Sequence, residues 1–548
     1  MQIIKRIYAL LTPQERKLGG RIAIELLGVT LLDFVSLASL LPVLYWLLKG
    51  GENSRAAIWF SLLAVTLIIV KGTAGIFFSR HQNRYLLLIF KRLSLSIYKS
   101  YYSRGLLFIR EEGANRLTHD INYISYSFSQ SILPSLLRMA SDSLLILMVA
   151  SALAIYDFKT SIILLCSFLP FLLIYTFGVR KRVRAIGKED LKAKRGQSRV
   201  VMDTFKGYTD LQVNGAFPHI KESFMTGLEK IAESRLHLDT LLRLPLFLGE
   251  LAVVLGLVLL LVTRGGDASL LVGVFAVASF RLLPAVRSIM TGYAYIENAT
   301  YSLDIIEKAM KSREEGVDEI LDEPNDPSST KIFSHLIEFD NITYSFPDGE
   351  KIFNNFSCTI KVGEFVGFNG YSGVGKTTLF NILLGFIEPQ EGCVRLDGEI
   401  LSKKLRNRWL KQVGYVSQDV FVFHGTLAEN IALGEESIDR KRVEQLIKMV
   451  SLDEWLGGLP DGIDTVMSEE GRKLSGGQRQ RIGIARALYR KVDVLLLDEA
   501  TSAVDNATEQ EINGMLHSLR KNYNNLTILS IAHRDSSLSM CDRVVTIE

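Results

Sequence analysis

The sequence predicts an α-helical membrane domain fused to an α/β nucleotide-binding domain of the P-loop type. Three observations predict it. The long apolar runs all lie before about Thr300. From about Ile332 short apolar strands alternate with helical patterns, as an α/β domain requires. Inside that second part stands "VGFNGYSGVGKTTLF", a strand, a glycine loop and the start of a helix.

The bulk properties agree. A chain of 548 residues has room for two or more domains. A hydrophobic share of 48% is high for a soluble protein of this size, and so is a mean hydropathy of +0.20. The net charge of +4 is mild and gives no reason to invoke nucleic acid. The four cysteines, Cys166, Cys358, Cys393 and Cys541, have neither metal-ligand spacing nor a disulfide framework, which suits a reducing compartment.

In "MQIIKRIYALL" the residues Ile3, Ile4, Ile7, Leu10 and Leu11 recur at helical spacing. This run is too short to span a bilayer and reads as an amphipathic helix on the membrane surface. "TPQE" then offers Thr12 as N-cap, Pro13 at the first helical position and Glu15 to close a capping box. About six segments after it are long enough to cross a ~30 Å hydrocarbon core. They fall near Ile22–Leu48, Ala56–Phe78, Ile132–Tyr156, Thr160–Val179, Leu244–Thr263 and Ser269–Tyr293.

The stretches Arg80–Arg116 and Arg180–Lys206 are rich in Arg and Lys, whereas "KGGENSR", "DFK" and "RGGDAS" are short. The positive-inside rule therefore puts both termini and the two long connections in the cytoplasm. Each long connection reads as helices continuing tens of ångströms past the membrane. This membrane domain is assigned to 1–311, and the acidic, Pro-containing segment 312–331 is read as a linker.

The remaining residues, 332–548, form the nucleotide-binding domain. Gly370, Ser372, Gly373, Gly375, Lys376, Thr377 and Thr378 make up the phosphate loop. Its glycines let backbone N–H groups turn inward, and the helix start adds a favourable dipole. Lys376 is placed to reach the β- and γ-phosphates of ATP and Thr377 to hold Mg²⁺. "VDVLLLDEA" is an apolar strand ending in two acids. Asp498 is placed to hold Mg²⁺ and Glu499 to activate the attacking water.

Between these lies "LSGGQRQRIGIARAL", and here the chain resembles the ATP-binding cassette (ABC) superfamily, over the whole of the second domain. The resemblance implies a Q-loop at Gln418, which also approaches Mg²⁺. It further implies a signature at Ser475, Gly476, Gly477 and Gln478, a D-loop at Asp505 and a switch histidine at His533. It sets Phe346, ahead of Tyr344, where an aromatic stacks on adenine, and Glu469 where an acid contacts the membrane domain. In this superfamily the signature caps ATP held by the opposite subunit, so the chain must dimerise. A homodimer is the default and a heterodimer the alternative. The family pattern usually runs on past "DRVVTIE", where this sequence ends at Glu548.

Six spans ahead of one cassette look like the exporter type. The run "FRLLPAVRSIMTGYAYIENATYSLDII" resembles the last span of PglK-type flippases, which turn over lipid-linked oligosaccharides. Asp33 and Pro42 in the first span fit that pattern. The short "KGGENSR" departs from it, because it leaves no room for the external helix of those proteins. The resemblance implies a flippase for a polyprenyl-diphosphate-linked oligosaccharide. The alternatives are an exporter of other lipids or hydrophobic drugs, or an ATP-gated membrane regulator. The location implied is a bacterial inner membrane, with the nucleotide-binding domain in the cytoplasm.

Candidate substrate residues are Arg281, Arg287, Asp33 and Glu250. Counted from Ser269 at 1.5 Å per residue, Arg281 lies ~18 Å and Arg287 ~27 Å down the last span. Arg287 can snorkel to the interface. Arg281 is buried deeper, and is open at this stage between substrate contact and pairing with Glu250 or Asp33.

Overall fold

The structure is a computed structural model and describes residues 2–39, 42, 54–264, 269–314, 331–346, 349, 351–467, 474–500, 506–523, 525–532 and 534–547. The chain divides into two compact units, Met1–Asp318 and Glu319–Glu548. Each is taken by itself.

Among its described residues the first unit is helices joined by short turns, with no strand. It contains α1 (Gln2–Leu10), α2 (Pro13–Ala38), α3 (Ser54–Ser103), α4 (Leu133–Tyr156), α5 (Phe158–Lys206), α6 (Phe217–Arg264), α7 (Ser269–Asn298) and α8 (Thr300–Glu314). Shorter helical turns join α3 to α4, two of them π turns at Asp120–Ile124 and Phe128–Ile132. Among the described residues five helices are long and apolar enough to cross a membrane. The span expected at Ile22–Leu48 is α2 as far as Ala38, and the rest of it lies largely outside the described residues.

The long connections are built largely from helices that continue out of the spans. α3, α5 and α6 run for 50, 49 and 48 residues. At 1.5 Å per residue each is about 70–75 Å long, more than twice a bilayer core. Their apolar stripes explain the packing. In α3, Leu86, Ile89, Leu93 and Ile97 recur at helical spacing and are almost wholly buried. They form one cluster with Phe128, Ile132, Leu303 and Ile306. A second cluster gathers Leu164, Val183, Phe275, Leu282 and Met290 from α5 and α7.

The N-terminal capping box is present, with Glu15 N–H donating to Thr12 Oγ1 at 3.3 Å and Thr12 N–H to Glu15 Oε2 at 2.9 Å. Glu15 also accepts from Arg92 Nε at 2.6 Å, which fastens the start of α2 to α3. The α1 face carrying Ile7 and Leu10 packs against protein, in the cluster with Leu303 and Ile306, while Ile4 of the expected apolar stripe stays exposed. The reason is electrostatic as well as apolar: Arg6 donates to Glu307 at 2.7 and 2.8 Å and to Asp304 at 2.7 Å on α8.

The second unit contains two main sheets. An antiparallel one has the order β2 (Lys351–Lys361), β1 (Leu336–Ser345), β4 (Glu391–Leu396), β5 (Glu399–Ile400). A parallel one has the order β9 (Arg543–Thr546), β3 (Phe365–Asn369), β8 (Thr527–Ile531), β7 (Val494–Asp498), β6 (Val413–Val416). β7 and β8 are buried at every position, as strands covered on both faces are. The helices that bear on the site are α9 (Lys376–Leu383), α10 (Gly476–Tyr489) and α11 (Asn506–Asn522).

Helix α5 passes so close to the end of α7 that a Cβ on Gly187 would fall on the Asn298 carbonyl, whereas one on Gly196 would meet nothing within 4 Å. Gly187→Ala should therefore lower the thermal unfolding temperature in detergent, with an overpacking cost of about 1–3 kcal/mol. Gly196→Ala, measured beside it, should leave that temperature unchanged or slightly raised.

Candidate functional site

The phosphate loop follows β3 directly. Gly370 has φ 153° and Gly375 φ 102°, in the region that disfavours a side chain. A Cβ on Gly370 would also stand 2.7 Å from the Ile547 carbonyl oxygen. Gly375 is the N-cap of α9, so the loop delivers its N–H groups at a helix start. Lys376 is 5% exposed and lies back across the loop, donating to the carbonyls of Gly370 at 2.8 Å and Tyr371 at 2.9 Å. Burial holds its ammonium below the usual lysine pKa, against the pull of Glu499 and Asp498. Ser372 and Gly373 are exposed at the loop tip, and Thr378 is buried in the first turn of α9.

The acids come from the neighbouring strand end. Asp498 closes β7 and is 2% exposed. Its Oδ1 accepts from Thr377 Oγ1 at 3.0 Å and its Oδ2 from the Tyr415 hydroxyl at 3.0 Å. Burial raises its pKa, and the two hydroxyl donors oppose that rise. Glu499 follows in the left-handed region at φ 51°. A non-glycine residue there carries about 1–3 kcal/mol of strain, and such outliers gather at functional sites. Its N–H donates to the Ile531 carbonyl at 3.2 Å, holding it to the end of β8. Gln418, on the loop after β6, donates its Nε2 to Glu499 Oε2 at 2.7 Å.

The structure therefore brings Lys376, Thr377, Gln418, Asp498 and Glu499 together, all at the carboxyl edge of the parallel sheet. Ligands in open α/β sheets bind at that edge. Ser475 caps α10, accepting from Gln478 N–H at 3.2 Å, while Gln478 Oε1 accepts from Ser475 N–H at 2.9 Å. Gly476 and Gly477 follow as the first helical residues. This is a second helix start, carried on a helix that packs on β6. Phe346 is half-buried and meets Tyr344 edge to face at 5.5 Å, and Tyr344 itself is 4% exposed and belongs to the core. Asp505, His533 and Glu469 lie outside the described residues.

These groups fit a magnesium nucleotide. Mg²⁺ takes hard oxygen donors and keeps several waters, and the Thr377 hydroxyl, the Asp498 carboxylate and the Gln418 amide are donors of that kind. The loop offers N–H groups and a buried ammonium to phosphate. The residue that sequence reasoning overlooked is Tyr415. Its only signal is that it precedes Gln418 by three positions on an otherwise apolar strand.

In the membrane unit Asp33 of α2 is 8% exposed and forms ion pairs with both Arg281 of α7 and Lys71 of α3. The pairing left open for Arg281 is thus made with Asp33. Glu250 and Arg287 are exposed on α6 and α7. Two cations thus share one carboxylate, one more positive than negative charge within this cluster. Pro284 lies one turn along from Arg281 and has no N–H to give the Phe280 carbonyl.

Comparison with known proteins agrees with this geometry. A family model described as ABC transporter matches residues 353–502. The chain is 30% identical over 502 residues to an ATP-dependent lipid A-core flippase of Burkholderia pseudomallei (strain 1710b), covering 89% of this chain and 80% of the relative. It is 28% identical over 569 residues to the ATP-dependent lipid A-core flippase of Cupriavidus metallidurans, covering 100% and 91%. The structure of a bacterial Atm1-family ABC exporter with ATP bound superposes with a TM-score of 0.79 at 22% identity, covering 96% of this chain and 93% of that one. That likeness concerns the fold.

Asp33→Asn should lower the thermal unfolding temperature, because it leaves Arg281 and Lys71 facing each other without their shared acid. Adding Lys71→Met should recover part of the loss. Equal unfolding temperatures for the wild type and Asp33→Asn would contradict the pairing.

Proposed function

The chain belongs to the ABC transporter family, and from that premise we propose that two copies form an ATP-driven flippase for an amphipathic glycolipid. The single chain joins a helical membrane half to one ATPase domain, as an exporter-type half-transporter that hydrolyses ATP. The convergence of Thr377, Gln418, Asp498 and Glu499 at one sheet edge carries the catalytic reading.

In this reading the loop from Gly370 to Thr378 and the Lys376 ammonium hold the phosphates, and Phe346 stacks on adenine. Thr377, Asp498 and Gln418 hold Mg²⁺, whose chemistry when bound is to neutralise charge on the phosphates. Glu499 takes the proton of the attacking water, and Gln418 keeps its carboxylate aimed. His533 and Asp505 carry the switch and D-loop roles that the family resemblance implies. One phosphate loop and one signature per chain make a homodimer the economical assembly, with Ser475 to Gln478 of each copy facing nucleotide held by the other.

The cargo reading rests on the charge excess at Asp33, Arg281 and Lys71. A cation surplus within a span is costly, roughly 2.5–3.5 kcal/mol per charge on insertion scales, and an anionic headgroup offsets it. The resemblance of the last span favours a polyprenyl-diphosphate-linked oligosaccharide. The naming of relatives as lipid A-core flippases favours the second reading, a lipid A-type glycolipid. Both place a lipid anchor in the bilayer and a polar head at the Asp33 cluster. The expected setting is the inner membrane of a bacterium.

ATPase activity in nanodiscs tests both halves of the proposal. Glu499→Gln should lower turnover by about 10²–10⁴-fold while nucleotide still binds. A prenyl-diphosphate glycan or a lipid A-type lipid should stimulate the wild type, and folded Arg281→Ala should lose that stimulation. Full stimulation in Arg281→Ala would sink the headgroup reading, and wild-type turnover in Glu499→Gln would sink the catalytic one.

A further inference from the structure

We propose that Tyr415 is a positioning residue that orients the Asp498 carboxylate and thereby sets the site's affinity for its divalent cation. The inference rests on reading Asp498 as a holder of Mg²⁺, and it extends that reading to a residue on a different strand.

The parallel register pairs Tyr415 with Leu496 and Val416 with Leu497. Side chains alternate between faces along a strand, so Leu496 and Asp498 share one face, and Tyr415 joins them there. Asp498 lies two residues beyond Leu496, about 6–7 Å along the strand at 3.3 Å per residue. A tyrosine ring laid along that face covers the distance, and its hydroxyl ends 3.0 Å from Asp498 Oδ2. The opposite face of β6 is closed to a large side chain, since a Cβ on Gly414 would stand 2.9 Å from Ala487 Cβ.

The two carboxylate oxygens thus have separate anchors. Oδ1 is held by the loop through Thr377, and Oδ2 by β6 through Tyr415. Rotation of the carboxylate breaks one or both bonds. Each oxygen keeps lone-pair capacity beyond its single donor, so the anchoring leaves room for a cation or its waters. Three residues on, the same segment supplies Gln418 to Glu499, and the turn between is held by Ser417 Oγ donating to the Asp419 carbonyl at 2.7 Å. The strand β6 and the loop that follows it therefore contact the two acids at the end of β7. Removing the hydroxyl frees Asp498 to turn without removing any group expected to touch the cation. Outer partners of this kind change metal affinity by about 10–100-fold.

The test is Tyr415→Phe in the full-length protein, with Mn²⁺ titrated as a paramagnetic probe in the presence of a non-hydrolysable ATP analogue. The expected result is Mn²⁺ affinity weakened about tenfold, a matching rise in the Mg²⁺ concentration that half-activates hydrolysis, and recovery of turnover at saturating Mg²⁺. Nucleotide binding in EDTA should be unchanged. Unaltered Mn²⁺ affinity in Tyr415→Phe overturns the proposal, and so does a loss of turnover that excess Mg²⁺ does not restore. Asp498→Asn separates the two levels. If it keeps wild-type Mn²⁺ affinity, the metal reading itself fails; if it loses Mn²⁺ while Tyr415→Phe does not, only the positioning role fails.

Discussion

The Thr377 hydroxyl and the Asp498 carboxylate meet 3.0 Å apart where β3 and β7 end, although the two residues are 121 positions apart in the chain. That contact depends on a parallel sheet in which β8 lies between β3 and β7 and pairs in register with both. Ile531 of β8 sits opposite Phe368 on one side and Asp498 on the other. A slip of one residue would turn the whole side-chain set of a strand to the other face. The phosphate loop, the acid pair and the Gln418 loop are therefore aligned by backbone hydrogen bonds in a buried core before any ligand is considered. Chemistry at the edge follows from packing in the middle.

The membrane unit obeys a different constraint. In hydrocarbon every backbone polar group must be satisfied within the protein, which long helices achieve at their interior positions except opposite prolines such as Pro170, Pro245 and Pro284. Helices of 48 to 50 residues then supply rigid extensions without any change of structure type. Ionised side chains are the exception to the apolar rule, and three of them are gathered at one point. Asp33 draws Arg281 and Lys71 from two other helices onto one acid. Beyond the spans, ion pairs also fasten the extensions, as the exposed Arg180 does with the buried Glu297 at 3.1 Å.

Much of this was legible because local rules carry it. The glycine loop, the acids at the end of "VLLLD" and the Thr12–Glu15 capping box each need only neighbouring residues, and each has the local form expected of it. What stayed hidden depends on contacts between elements. Helical counting set the depth of Arg281 but left its partner open between Glu250 and Asp33, because depth within one helix does not say which faces turn toward each other. The choice of Asp33 over Glu250 needed the packing of α2, α3 and α7. For α1 the periodicity was correct, yet periodicity does not distinguish a membrane from the apolar flank of α8. Tyr415 was invisible for the same reason, since its partner is 83 positions away.

The central claim is that ATP hydrolysis at this sheet edge drives a lipid headgroup across the bilayer. Its most direct test is reconstitution into vesicles with headgroup-labelled prenyl-diphosphate and lipid A-type lipids, followed by measurement of the fraction open to a membrane-impermeant quencher. The account predicts a time-dependent change in that fraction with Mg²⁺ and ATP for one of these lipids, and none in vesicles holding the Glu499→Gln protein. Equal accessibility with and without ATP for both lipids, in vesicles where the protein hydrolyses ATP, would contradict it.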